Sequence, residues 1–161
     1  VASPADRLAM AELAIAGQAG LQVDAREIVR GGPSYTVLTL EELRDEAPMR
    51  PLALIVGADA FLGLPGWHRW RELFELAHVI VVARPGTALD LTRAPPLLPD
   101  WERRRTDDAG ALAASAAGAI VVQPVTPHDI SATSIRSALA SSPSSCCTAF
   151  ARRAAKSSSS T

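Results

Sequence analysis

Three short apolar runs limit the folds open to this chain: Leu52-Ala53-Leu54-Ile55-Val56, Val79-Ile80-Val81-Val82-Ala83 and Ala119-Ile120-Val121-Val122. Each is too short for a buried helix, is rich in β-branched residues and stops at a loop, as expected of strands buried on both faces. Stretches of helical periodicity separate them. Strands alternating with helices predict a parallel, Rossmann-like α/β sheet with flanking helices. Ligands of such sheets lie beyond the carboxyl ends of the strands. The loops after the three runs are therefore the first places to look for function.

The remaining chain fits around that sheet. Ser3-Pro4-Ala5-Asp6 has the pattern of a helix start, and Leu8, Ala11 and Ile15 continue an apolar face that stops near Gly17 and Gly20. Residues 26–30 read as a short strand ending at Gly31-Gly32-Pro33, and Thr36 to Glu46 as a helix with Val37, Leu40 and Leu43 on one side. Helical material is expected around Trp70 to Leu76, and an alanine-rich helix before the third run. Between these, Arg103-Arg104-Arg105 reads as a solvated face. From Ser141 onward serines cluster in pairs and runs, the composition of a disordered tail. The expected organisation is one domain over residues 1–140 and a low-complexity tail over 141–161.

Charge and cysteine content narrow the partners. Sixteen basic against seventeen acidic side chains, without a long basic block, argue against a nucleic-acid or anionic membrane surface. A small nucleotide needs only a local positive site. Cys146 and Cys147 are adjacent, which offers neither an ordinary disulfide loop nor a Cys-x-x-Cys pair, so a reducing cytoplasm is the expected setting. No apolar run approaches the roughly 18 residues of a membrane span, and the start lacks a signal-peptide pattern.

Several residue groups carry candidate chemistry. Ile130-Ser131-Ala132-Thr133-Ser134-Ile135-Arg136 has the hydroxyls and guanidinium of a phosphate-facing helix start, or of a plain N-cap with a surface arginine. Gly57 would let the backbone approach a ligand while Asp59 accepts from a ribose diol; alternatively Asp59 caps the next helix. In a chain with 4% aromatics, Trp67 behind Pro65-Gly66 is a stacking platform or a core plug, and Trp70 is the candidate plug that would leave Trp67 at the rim. Tyr35 and Thr36 follow the Gly31-Gly32-Pro33 turn. Arg84 places a cation after the second run. His78 reads as satisfied within the core, His128 as a weak support for the phosphate motif, and His68 as acting through its backbone.

Taken together, these pieces resemble the bacterial nicotinate mononucleotide adenylyltransferases of the nucleotidyltransferase superfamily. The likeness runs through Arg7–Ala14, Pro33-Ser34-Tyr35-Thr36, Ile55-Val56-Gly57-Ala58-Asp59, Trp67, Ala77–Val81 with Arg84-Pro85-Gly86, and Ile130–Arg136. The resemblance implies that Trp67 stacks on a nicotinate ring. Thr36 and the backbone at Trp67 and His68 would hold the ring carboxylate, with Tyr35 alongside. Gly57 and Asp59 would face a nucleotide ribose, Arg84 the substrate phosphate, and Ile130, Ser131, Thr133 and Arg136 the ATP phosphates. It further implies AMP transfer from ATP to nicotinate mononucleotide in NAD biosynthesis, with Mg²⁺ assisting and no protein nucleophile.

Two departures temper the expected activity. The family's His-x-Gly-His loop occurs nowhere in these 161 residues, so the reading is of a domain truncated at its amino end, with little or no turnover and no catalytic histidine. The Ser/Cys/Ala/Arg stretch after Ala140 also lacks the family's closing helices, as a frame shift after the motif would produce. A non-catalytic remnant that binds nucleotide weakly, and an adenylyltransferase with another acceptor, are the alternatives.

Overall fold

The computed structural model describes residues 3–83 and 89–125. In chain order the elements are α1 (Pro4–Ile15), α2 (Arg26–Arg30), α3 (Thr36–Glu46), β1 (Ala53–Gly57), α4 (Ala58–Leu62), α5 (Leu73–Leu76), β2 (His78–Ala83), α6 (Leu98–Arg104), α7 (Ala111–Ala114) and β3 (Ile120–Pro124). Short 3-10 turns at Leu64–Gly66, Trp70–Glu72, Leu91–Arg93 and Pro95–Leu97 join them. The strands form one parallel sheet in the order β1-β2-β3, with Ile55 beside Ile80 and Val81 beside Val122. This is the predicted α/β layer with flanking helices.

Parallel register sends paired side chains to the same side of the sheet. Leu54, Val56, Val79, Val81, Ile120 and Val122 therefore share one face, and that face holds the core with Val37, Leu40, Phe61, Leu64, Leu73, Phe74 and Leu97. Burying one such aliphatic or aromatic side chain stabilises the fold by about 1.5–3 kcal/mol. The opposite face is covered unevenly. His78 and Val121 are buried there, whereas Ile55 is 66% exposed. The expectation that the first run is buried on both faces is thus corrected: β1 is the sheet edge among the described residues, and only Val56 of its five residues is buried.

Residues 26–30 form a helix rather than the expected strand. No strand lies beside them among the described residues, and the helical spacing of Arg26 and Arg30 presents both guanidiniums to α3. Arg30 Nε lies 2.7 Å from Glu42 Oε1, and Arg26 Nη1 lies 3.2 Å from Glu46 Oε1. Gly31 ends the turn at φ 68°, ψ 176°, a backbone state that essentially only glycine adopts. Helix α1 has the predicted cap, with Asp6 N–H donating to Ser3 Oγ at 3.1 Å and Ser3 N–H to Asp6 Oδ2 at 3.1 Å, yet none of its residues is buried.

The arginine triplet is also corrected. The Arg103 and Arg105 side chains are 68% and 49% exposed, but that of Arg104 is only 12% exposed. Its guanidinium lies 5.3 Å from the Phe74 ring centroid and donates to Asp100 Oδ1 (3.1 Å), the Gly118 carbonyl (3.4 Å) and Glu75. Helical periodicity turns the middle residue of the triplet inward, where Asp100 offsets its charge.

Candidate nucleotide site

Helix α3 decides which end of the sheet carries the site. Arg44 in its last turn donates to the carbonyls of Leu76 (2.5 Å) and Ala116 (2.8 Å), residues that precede β2 and β3. The same guanidinium reaches the carbonyls of Arg50 (2.7 Å), Pro48 (3.1 Å) and Ala47 (3.4 Å) beyond its own helix end. The carboxyl end of α3 is therefore pinned at the amino edge of the sheet. Eleven helical residues and five strand residues both span about 16 Å. Tyr35 and Thr36, at the other end of α3, consequently lie toward the carboxyl edge, where β1 delivers Gly57.

The family resemblance grouped Tyr35–Thr36 with Trp67–His68, and the structure brings Tyr35 against His68. The Tyr35 and His68 rings stack, with centroids 4.3 Å apart and planes 29° off parallel. Trp67 is half-buried and packs against the edge of the core, while Trp70 is buried and meets the Phe74 ring edge-on at 6.2 Å. The division into rim and plug follows from the turn at Leu64–Gly66. Its carbonyl at Leu64 accepts from Trp67 N–H at 2.8 Å. Trp67's backbone donor is thereby engaged, and that of His68 is the one without a hydrogen bond among the described residues.

Beside this turn sits Arg69, with φ 51° and ψ 38°, the one non-glycine residue in left-handed backbone among the described residues. A Cβ makes that conformation strained. Arg69 Nη2 meets Glu41 Oε1 of α3 at 2.7 Å, and Nε donates to Glu72 Oε1 at 2.8 Å. These hydrogen bonds raise the Arg69 pKa above its ordinary value and hold that of Glu72 below. No sequence pattern singled out Arg69, because an arginine in left-handed backbone has no local signature.

At the end of β1, Gly57 precedes α4 with no side-chain cap, so the capping alternative for Asp59 is not realised. Asp59 is exposed and its carboxylate has no hydrogen-bond or ion-pair partner among the described residues. A Cβ built on Gly57 would meet nothing within 4 Å, so packing does not explain the glycine. Ser34, by contrast, is occupied: its hydroxyl donates to Glu27, whose other oxygen accepts from Thr39 at 2.9 Å. His78 is satisfied in the interior as expected, Nε2 against the Ser115 carbonyl at 2.8 Å and Nδ1 accepting from Ala119 N–H at 3.0 Å.

Arg84, the Ile130–Arg136 motif with Ser131 and Thr133, His128, Cys146, Cys147 and the 141–161 tail lie outside the described residues. Among the described residues no cluster of three or more His, Cys, Asp or Glu side chains could hold a metal ion, and no helix is long and apolar enough to cross a membrane.

Comparison with known proteins identifies the family. A protein of Halorhodospira halophila is 50% identical over 137 residues, covering 85% of this chain and 62% of its own length. One of Methylococcus capsulatus is 49% identical over 137 residues, 84% of this chain and 64% of its own. A third, from Yersinia enterocolitica, is 45% identical over 137 residues, 84% of this chain and 61% of its own. All three bear the name "probable nicotinate-nucleotide adenylyltransferase". The chain thus spans about three fifths of the length of the curated relatives it matches. Residues 1–138 match the cytidylyltransferase-like family, whose α/β layer the parallel sheet fits, and the chain belongs to that family.

Proposed function

We propose that this chain carries the acceptor side of a nicotinate-nucleotide adenylyltransferase, an enzyme that transfers AMP from ATP to nicotinate mononucleotide and releases pyrophosphate. The observation that carries the reading is the Tyr35–His68 stack, which brings the amino end of α3 against the Trp67 turn. The names of relatives at 45–50% identity support it.

In this reading a planar pyridine ring lies on the half-buried indole of Trp67. The open N–H of His68, the Thr36 hydroxyl and the free amide groups at the start of α3 face its carboxylate, since helix amino ends favour anions. Asp59 accepts from a ribose diol, and Gly57 lets the ribose approach the backbone. Arg84 meets the acceptor phosphate, and Ile130, Ser131, Thr133 and Arg136 receive the ATP phosphates. Mg²⁺ arrives as part of the ATP complex and supplies charge neutralisation; the described residues offer no preformed cage for it. The chain's own contribution is positioning and charge complementarity, the main sources of rate in phosphoryl transfer.

Binding is the direct test, because the 161 residues contain no His-x-Gly-His and turnover is expected to be weak or absent. Calorimetric titration of the chain with nicotinate mononucleotide should give a saturable signal that Trp67→Ala weakens by about two- to tenfold, the worth of one stacking contact. A chain that binds ATP but shows no preference for the nicotinate ring would replace this reading with another acceptor.

A further inference from the structure

The turn that carries Trp67 is tied to α3 at two points. Near the start of the helix, Tyr35 stacks on His68. Six residues later, Glu41 meets Arg69 at 2.7 Å. Positions 35 and 41 are separated by about 9 Å along the helix axis. One attachment would let the turn pivot about that point, whereas two so spaced fix its rotation as well as its distance. The second attachment depends on the left-handed backbone of Arg69, which redirects the chain into the 3-10 turn at Trp70–Glu72. Within that turn Glu72 N–H donates back to the Arg69 carbonyl at 3.0 Å, and the Glu72 carboxylate takes the Arg69 Nε at 2.8 Å. A strained residue held from three sides beside a candidate site is a place where structure is spent on geometry.

We propose that Arg69 is a positioning residue that, through Glu41, sets the register of the Trp67–His68 turn against the amino end of α3 and so the gap that a pyridine nucleotide ring enters. The ring's identity rests on the proposed function above; the positioning does not. Arg69 touches neither ring nor carboxylate in this scheme. It acts through the two residues before it. Neither ion-pair side chain packs in the core, so removing the bridge should move the turn while leaving the fold intact.

The test uses the full 161-residue chain and the variants Glu41→Gln, Arg69→Gln and Arg69→Lys. NMR shifts of the His68 ring protons report the stack on Tyr35 without any ligand, with Tyr35→Leu as the unstacked reference. Both Gln variants are expected to move these shifts most of the way to that reference, with melting temperatures near wild type, and Arg69→Lys to recover part of the difference. Calorimetry should show nicotinate mononucleotide bound about tenfold more weakly by the Gln variants while ATP binding is unchanged, because a small misplacement of one contact surface costs affinity only there. Unchanged His68 shifts in both Gln variants would overturn the proposal. Equal losses for ATP and the mononucleotide would also overturn it, by making the bridge a general structural one. If the shifts move as expected but wild type binds no nicotinate mononucleotide, the positioning stands and the substrate reading falls.

Discussion

Removing the guanidinium of Arg44 should unpin α3 from the amino edge of the sheet. Arg44→Met keeps most of the aliphatic stem and deletes the donors. Five carbonyls accept from Arg44, at 2.5, 2.7, 2.8, 3.1 and 3.4 Å, but they do not count equally. The two longest share Nη1 with the Arg50 carbonyl and add little. The Ala116 carbonyl also accepts from Leu52 N–H at 3.2 Å, so it keeps a partner in the variant. That leaves the Leu76 and Arg50 carbonyls as the main losses, each a hydrogen bond to a charged donor of about 1.5–3 kcal/mol. Water can reach the Arg50 side, where the residue is exposed, and offsets part of its share. The expected cost is therefore about 2–4 kcal/mol, a fall in Tm on the order of 10 °C for a domain of this size. Arg44→Lys should recover less than half, because one ammonium cannot reproduce the fork that spans Leu76 and Arg50. Guanidinium titration with parallel thermal melts measures both. A loss below about 0.5 kcal/mol for Arg44→Met, or full recovery by lysine, would refute the pinning argument. Nicotinate mononucleotide affinity of the folded fraction should not change, since Arg44 lies at the opposite end of α3 from Thr36.

Other outcomes follow from the same geometry. Gly31→Ala must place a Cβ at φ 68°, ψ 176°, and should cost about 1–3 kcal/mol by urea titration although nothing lies within 4 Å of the new methyl. Arg104→Met leaves the buried Asp100 carboxylate facing only Arg103, and should destabilise by about 2–4 kcal/mol, more than Arg103→Met, in the same titration. Hydrogen bonds from Arg30 and Arg69 hold Glu42 and Glu72 below their ordinary pKa, so the native state binds fewer protons than the unfolded chain. Their stabilisation is complete above the ordinary glutamate range and disappears as pH falls through and below about 4. Denaturation at stepped pH should show that slope, and Glu42→Gln should flatten it.

The sheet was legible because its signal is local: a β-branched run bounded by loops reads the same in any context, and all three appear within a residue or two of their predicted places. Residues 26–30 were not legible as a helix, since five residues make little more than one turn and the partners Glu42 and Glu46 lie on another element. Burial of β1 was misjudged for a related reason. An apolar run reports what a strand can tolerate, whereas the exposure of Ile55 depends on what lies across the sheet. In the site, Tyr35, Thr36, Trp67 and His68 were grouped by the family resemblance, since residue type alone left each open to a turn, cap or core reading; the structure adds the Tyr35–His68 contact. Arg69 and Arg44 were missed because their roles are set by backbone conformation and by carbonyls up to 72 residues away.

Helix α1 carries a consequence for how this protein's stability should be read. Its twelve residues are closed by a capping box but bury no side chain, and a helix of that length is marginal in water on its own. It should therefore fray at a free energy well below that of global unfolding. All three tryptophans, Trp67, Trp70 and Trp101, belong to the sheet-and-helix core and are blind to that event. Far-UV circular dichroism, which counts every helical peptide, is not. The two signals should give non-coincident melts, and the gap between them would measure a detachable first helix rather than a folding intermediate.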